Sequence, residues 1–207
     1  MNLLSDLEQD ALLEMLNIGM GRAAAALSQM VQDEVFLSVP QVVLLDRRQT
    51  LELIRQHAAD RVCAIRQAFG GPFQGSALLI YPEEASLELV RALLREEVPL
   101  QTLTELEQES LVEVGNVILN ACIGTIANLL QTEFQCALPI YLHGSCEQLL
   151  GPEPAPSRPD GGNHLLLFVD FVTGGNRIRG NVVLILDMSA IAQLKDELHH
   201  TLQRLPD

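Results

Sequence analysis

An internal repeat limits the fold of this chain more than any other feature of its 207 residues. Residues 7–40 align without a gap with residues 106–139, at an offset of 99 positions. The residues that recur are Leu7, Glu8, Gln9, Leu12, Glu14, Asn17, Gln32, Glu34 and Pro40, which return as Leu106, Glu107, Gln108, Leu111, Glu113, Asn116, Gln131, Glu133 and Pro139. A second match places Gly75 opposite Gly180. Two copies are too few for a repeat array, so we expect one domain, residues 1–207, built of two repeats at about 5–100 and 104–204.

The hydrophobic pattern predicts a similar series of elements in each repeat. Apolar residues at helical spacing indicate helices at 5–31, 50–58, 84–96, 104–130 and 188–203. Apolar runs typical of strands occupy 34–45, 61–69, 75–81, 133–143, 164–172 and 180–186. The segment 151–163 is rich in Pro, Gly and polar residues and is predicted to be an exposed loop. The expected fold class is α/β (α+β), a pseudo-twofold duplicated unit. Its two long helices, at 5–31 and 104–130, are called the motif helices below and are expected to pack on a mainly antiparallel sheet.

Composition and charge argue against several kinds of partner. The formal net charge of −14 would repel the phosphates of nucleic acids and the anionic surface of a membrane. No apolar run approaches the roughly 20 residues that cross a bilayer, and the acidic first residues do not resemble a signal peptide. We therefore expect a cytoplasmic protein with protein partners, no nucleic acid and no membrane. Cys122 and Cys136 have apolar neighbours and are expected to be buried, reduced thiols.

Three polar residues of the first long helix fall on one face. Asp10, Glu14 and Asn17 are spaced by four and three residues, so a helix aligns them in a single stripe. The second repeat forms the same stripe with Glu109, Glu113 and Asn116. For one helix, a solvated polar face is the ordinary interpretation, but the return of the pair in the second repeat favours a function. Both asparagines are expected to be exposed, so alanine in their place is expected to leave the fold intact.

A carboxylate and a carboxamide one turn apart do not form a complete hydrolytic site. The sequence shows no Ser–His pairing, no phosphate-binding glycine loop and no spacing typical of metal ligands. The electrophile and any metal ion would therefore have to belong to a second molecule. An Asn amide can hydrogen-bond an attacking water and fix its direction, and a Glu can pair with a Lys of the partner.

The spacing of the stripe resembles the signature of the CheC/CheX/FliY phosphatases of chemotaxis. Twenty-two residues separate Asn17 from Pro40, and the same number separates Asn116 from Pro139. The stretches NIGMGRAAAALS and LVEVGNVILNACIG are also similar to the two motif helices of the CheC family. Glu109 departs from the pattern, because the family usually has Asp or Ser at that position. The resemblance covers nearly the whole chain.

This resemblance implies an enzyme, a protein aspartyl-phosphate phosphatase that dephosphorylates a CheY-like response regulator in two-component signalling. The implied catalytic residues are Glu14 and Asn17 in one site and Glu113 and Asn116 in the other. In each site the Asn would orient the attacking water, and the Glu would pair with a Lys of the regulator. The implied supporting residues are Asp10, Glu109, Pro40 and Pro139. No cofactor or metal of its own is expected, because Mg²⁺ is held by the partner response regulator.

A non-catalytic binding module is the alternative. The middle domain of the flagellar switch protein FliM is related to this family but has no working sites, and some CheC proteins bind the receptor deamidase CheD. On this interpretation the chain is an adaptor that binds a response regulator or CheD without hydrolysis. The Glu and Asn pair kept in both repeats favours the enzyme, because a pure binding protein has no need of it.

Overall fold

The structure, a computed structural model, describes residues 4–57, 61–72, 74–94, 104–150, 163–173, 176–186 and 188–203. Its helices are α1 (Asp6–Val31), α2 (Arg47–His57), α3 (Glu83–Leu94), α4 (Glu105–Leu129), α5 (Cys146–Leu149) and α6 (Met188–Gln203). Its strands are β1 (Val35–Leu45), β2 (Val62–Gly70), β3 (Gly75–Pro82), β4 (Gln135–Cys136), β5 (Ile140–Gly144), β6 (Asn163–Thr173) and β7 (Asn176–Leu186). Nearly all of the loop predicted at 151–163 lies outside the described residues.

Both long helices begin at a capping box. Ser5 precedes α1, and its hydroxyl accepts a hydrogen bond from the backbone N–H of Glu8. The Glu8 carboxylate accepts in return from the N–H of Ser5, at 2.8 Å. At the start of α4, Glu107 accepts from the N–H of Thr104 in the same way. The recurrence of Glu8 as Glu107 therefore has a structural explanation, since these bonds satisfy donors that a helix start leaves unpaired.

A glutamine in the left-handed conformation follows each long helix. The φ angle is 52° at Gln32 and 50° at Gln131, the equivalent position in the second repeat. Helices commonly end with one residue in this conformation, because it turns the chain away from the helix axis. The recurrence of this glutamine thus marks the end of a helix.

A seven-stranded sheet with antiparallel pairing throughout lies at the centre of the fold. The strands follow the order β1–β6–β7–β3–β2–β4, and β5 pairs with the same edge of β2 as β4 does. The order is symmetric about its centre. Each strand on one side has a counterpart on the other: β7 corresponds to β3, β6 to β2, and β1 to β4 and β5 together. The expected fold class, a mixed α and β structure with an antiparallel sheet, is confirmed. The sheet order is the one that a two-fold axis between β7 and β3 would produce, and the division into two repeats stays a prediction.

Helices cover both faces of the sheet. One face packs against α1, α3, α4 and α6 in the larger core, and the other packs against α2 and α5. The motif helices α1 and α4 also touch each other. At Gly19 they approach so closely that a side chain there would collide with Thr125. Both motif helices are therefore held on the same side of the sheet.

Two local expectations are corrected. The strand predicted at 133–143 is interrupted, because β4 ends at Cys136 and β5 begins only at Ile140. The expectation that Cys136 is buried is wrong, because this residue lies in a two-residue edge strand and is exposed. Cys122 is buried as expected, and burial raises the pKa of its thiol to about 12.

The helix α4 is, within the part of the chain that the structure describes, the one helix long and apolar enough to cross a membrane. This property concerns only the length of the helix and its amino-acid composition. The side chains of Leu111, Val114, Ile118 and Ile123 are buried in the larger core. Packing against the sheet and α1 thus accounts for the apolar character of α4.

His164 of β6 is expected to make the stability of the protein depend on pH. Its side chain is 2% exposed, and its pKa is lowered from 6.5 to about 4, first by burial and then by Arg47, against the opposing effect of Asp46. The unfolded state then binds a proton before the folded state does, so stability is full above pH 6.5 and falls towards pH 4. Between pH 7 and pH 5 the free energy of unfolding should drop by about 2 kcal/mol from this residue alone.

Urea unfolding at the two pH values measures this drop. The His164→Leu variant is the control, because leucine cannot titrate and the surrounding core is apolar. Its free energy of unfolding should fall by about 2 kcal/mol less than that of the wild type between pH 7 and pH 5. Parallel losses in the two proteins would show that His164 does not carry the effect.

Candidate functional site

The first candidate site consists of Asp10, Glu14 and Asn17 on α1 together with Pro40 on β1. Asp10 and Glu14 are exposed, and neither forms a hydrogen bond or an ion pair with any residue that the structure describes. With their neighbours they line a shallow, open depression along α1 that ends at Ile18, a large apolar residue that is 56% exposed. The site is therefore an open surface and not an enclosed cavity.

The side chain of Asn17 is bonded to the backbone of β1. Its Oδ1 accepts a hydrogen bond from the N–H of Val39 at 2.8 Å. Its Nδ2 donates to the carbonyl oxygens of Val39 and Leu13, both at 3.0 Å. The donors and the acceptor of this amide are thus engaged inside the protein. The expectation that both asparagines are exposed is wrong, since Asn17 and Asn116 are half-buried.

The long gap between Asn17 and Pro40 has a structural cause. The pairing of β1 with β6 runs to Ser38 and resumes at Gln41, and the two residues between them lie in an irregularity of the ladder. Pro40 has no N–H, and proline confines the residue before it to extended backbone. The backbone N–H and C=O of Val39, which is 1% exposed, are satisfied by Asn17 in place of β6.

The second candidate site consists of Glu109, Glu113 and Asn116 on α4 together with Pro139, which directly precedes β5. Glu109 and Glu113 are exposed, and within the described ranges neither has a hydrogen bond or an ion pair. The two candidate sites lie at opposite edges of the sheet, because β1 forms one edge and β4 and β5 form the other.

Three side-chain amides meet in the second candidate site, and we call Gln67, Asn116 and Asn120 the amide cluster. The Oδ1 of Asn116 accepts from Asn120 Nδ2 at 2.9 Å and from Gln67 Nε2 at 3.5 Å. The same Gln67 Nε2 lies 3.3 Å from Asn120 Oδ1 and 3.2 Å from the carbonyl oxygen of Ala137. The Nδ2 of Asn116 donates to no residue in the described part of the chain. This amide therefore keeps donor hydrogens for a ligand, whereas Asn17 does not.

A glycine brings α4 close enough to β2 for this cluster to form. A Cβ placed on Gly115 would lie 2.7 Å from side-chain atoms of Ile65, which is closer than side chains pack. Ile65 and Gln67 are two residues apart on β2, so their side chains lie on the same face of the sheet. The close contact at Gly115 thus sets the adjacent Asn116 against Gln67.

Sequence reasoning assigned a role to neither Asn120 nor Gln67. The signal for Gln67 lies in the strand period. Alternation places it on the inward face between Ile65 and Phe69, and both of these belong to the larger core. A glutamine that is 2% exposed at such a position is a polar residue where a leucine would ordinarily stand.

Comparison with solved structures identifies the fold, and no family model matches the chain. FliY from Thermotoga maritima superimposes with a TM-score of 0.73 and 14% identity, over 96% of this chain and 98% of that chain. The FliM middle domain from H. pylori gives a TM-score of 0.66 and 9% identity, over 94% and 99%. CheX from Borrelia burgdorferi, in a complex with CheY, gives 0.48 and 16%, over 82% and 96%.

The chain therefore has the fold of FliY and of the FliM middle domain. This is the fold that the resemblance to the CheC/CheX/FliY proteins implied.

Proposed function

We propose that the protein is a hydrolase that dephosphorylates the aspartyl-phosphate of a CheY-like response regulator. The observation that carries the proposal is the position of Glu14 and Glu113. These residues occupy the same place on two equivalent helices, and both are exposed without a partner among the described residues. Other recurring polar residues, such as Glu8 and Gln32, have structural tasks at the helix ends. A structural task does not account for Glu14 and Glu113, so a partner protein is their natural contact.

Each Glu would pair with a Lys of the regulator and orient it on the motif helix. In the second candidate site the free Nδ2 of Asn116 would donate to one lone pair of a water molecule and direct the other at phosphorus. The water oxygen then bonds to phosphorus, and the bond between phosphorus and the aspartyl oxygen breaks. The aspartate leaves as a carboxylate. One proton of the water stays on the oxygen now bonded to phosphorus, and the other passes to a second phosphate oxygen, so that inorganic phosphate is released. The regulator supplies Mg²⁺, and such a substrate implies a cytoplasmic location.

The first candidate site favours a second function, that of a binding module. Asn17 can reach a water only if it gives up its bonds to Val39, whose backbone would then lose both partners. A site that keeps these bonds would hold a response regulator, or CheD, without hydrolysis. On this alternative the protein is an adaptor, and Glu14 serves recognition only.

A phosphate-release assay on a panel of phosphorylated CheY-like receiver domains tests the proposal. The wild type should accelerate phosphate loss from at least one receiver. The double variant Glu14→Ala with Glu113→Ala should lower kcat/KM on it by about fivefold or more, because each site loses one ion pair and with it about 1 kcal/mol or more of docking free energy. The matched control is Asp6→Ala with Glu105→Ala, which removes the same charge from equivalent exposed positions of α1 and α4.

The control should retain nearly all of the wild-type rate. Equal losses in both double variants would reduce the effect to net charge and contradict a specific docking role. A wild type that binds a phosphorylated receiver but leaves its phosphate lifetime unchanged would favour the binding module.

A further inference from the structure

We propose that Gln67 is a positioning residue that holds the amide of Asn116 in one orientation, with Asn120 as the intermediary. This inference rests on the proposed function, because the held amide is the group assigned to the attacking water. Gln67 lies on β2, in the other repeat from Asn116, and its role follows from contacts across the fold.

The geometry of the amide cluster gives Asn116 a single favourable orientation. One side-chain nitrogen, Gln67 Nε2, faces three oxygens, which belong to Asn116, Asn120 and Ala137. Asn120 then donates its own Nδ2 to Asn116 Oδ1 at 2.9 Å. If the Asn116 amide rotated by half a turn, its NH₂ group, which is itself a donor, would face the donors Gln67 Nε2 and Asn120 Nδ2. The cluster therefore keeps Oδ1 inward and Nδ2 outward.

The buried glutamine has no evident value for stability. Gln67 is 2% exposed, and its Oε1 is buried without a hydrogen-bond partner among the described residues. Burying an unpaired carbonyl oxygen is unfavourable, and a leucine would fill the same inward position without that cost. A residue that disfavours folding at a core position, beside a candidate active-site amide, indicates a functional role.

The first candidate site shows what the equivalent position looks like without this device, because its strand β6 belongs to the second repeat. In the two hairpins Phe69 pairs with Gly75, and Val169 pairs with Gly180, the glycine equivalent to Gly75. Two residues earlier, Gln67 of β2 therefore corresponds to Leu167 of β6, which is fully buried. Gly21 stands where α4 has Asn120. The first candidate site thus lacks both members of the cluster and holds its asparagine through the backbone of β1.

The test is Gln67→Leu, which copies the residue of the other repeat, in a protein whose first site is disabled by Glu14→Lys, since this change sets a like charge against the Lys of the regulator. The kcat on a phosphorylated receiver should fall about tenfold, because the water is no longer directed at phosphorus. The KM should stay within about twofold, since the docking residues are unchanged. The midpoint of urea unfolding should stay the same or rise.

An independent readout follows the side chain of Asn116 by NMR. The ¹⁵N order parameter of its Nδ2 group should be high in the wild type, where the amide is held in one orientation, and should fall after Gln67→Leu. An unchanged kcat, or a kcat that falls together with the unfolding midpoint, would overturn the positioning role. If no receiver loses phosphate faster with the wild type, the proposed function fails. The order parameter then decides alone, and an equally ordered Asn116 amide in both proteins would refute the positioning role.

Discussion

Replacing Asn17 by alanine is expected to lower the free energy of unfolding by about 3 kcal/mol. The substitution removes three hydrogen bonds and leaves the N–H and C=O of Val39 without a partner. Val39 is 1% exposed and lies where β1 and β6 are out of register, so β6 cannot take over these bonds. Each buried backbone group left unpaired costs about 1–3 kcal/mol, and the losses from two such groups add.

The matched control is Asn116→Ala, at the equivalent position of α4. The bonds of Asn116 go to side chains that can rearrange, so its loss should cost less than about 1 kcal/mol. Urea unfolding of the two variants, followed by circular dichroism, gives both values. Similar losses at the two positions would contradict the view that Asn17 is a structural clamp.

The second large effect concerns catalysis. In a protein that carries Glu14→Lys, the further change Asn116→Ala is expected to lower kcat on a phosphorylated receiver by on the order of 100-fold. The reason is that a misdirected water rarely lies in line with the bond to be broken. Single-turnover phosphate release at saturating enzyme separates this effect from docking, because every receiver is bound before the reaction.

Glu14→Lys is the better means of disabling the first candidate site, because it replaces an attraction to the Lys of the regulator by a repulsion. Glu14 has no contact that a substitution would break in the described part of the chain, whereas Asn17→Ala would unfold a fraction of the protein and blur the rates. If Asn116→Ala left the single-turnover rate unchanged in this background, Asn116 would not direct the water. Loss of receiver binding without any change in rate would point to an adaptor.

Much of the fold follows from patterns that act over a few residues. The helix expected at 5–31 is Asp6–Val31, and the helix expected at 104–130 is Glu105–Leu129. Hydrophobic spacing and capping residues set these bounds, and both can be read locally. The prediction of one continuous strand at 133–143 is less accurate. Two short strands, β4 and β5, stand there at the edge of the sheet, and Pro139 lies between them.

In the candidate sites, too, local patterns predict some features and tertiary contacts decide the others. Helical periodicity alone aligned Glu14 with Asn17 and Glu113 with Asn116, since each turn repeats after 3.6 residues. Whether an asparagine on such a stripe is free or bonded depends on the strand that lies beside it. Asn17 meets an irregular stretch of β1 twenty-two positions away, and this contact exists only after the sheet has formed.

Sequence by itself determined the two acidic stripes and the class of fold, because these depend on spacing along one element, and it predicts the repeat. Tertiary structure alone decided that the two sites differ. In the folded protein the whole amide of Asn17 is hydrogen-bonded to backbone groups, whereas Asn116 accepts a hydrogen bond from Gln67 of the other repeat. The physical reason is that a side-chain amide takes its orientation from the donors and acceptors around it, and these come from distant parts of the chain.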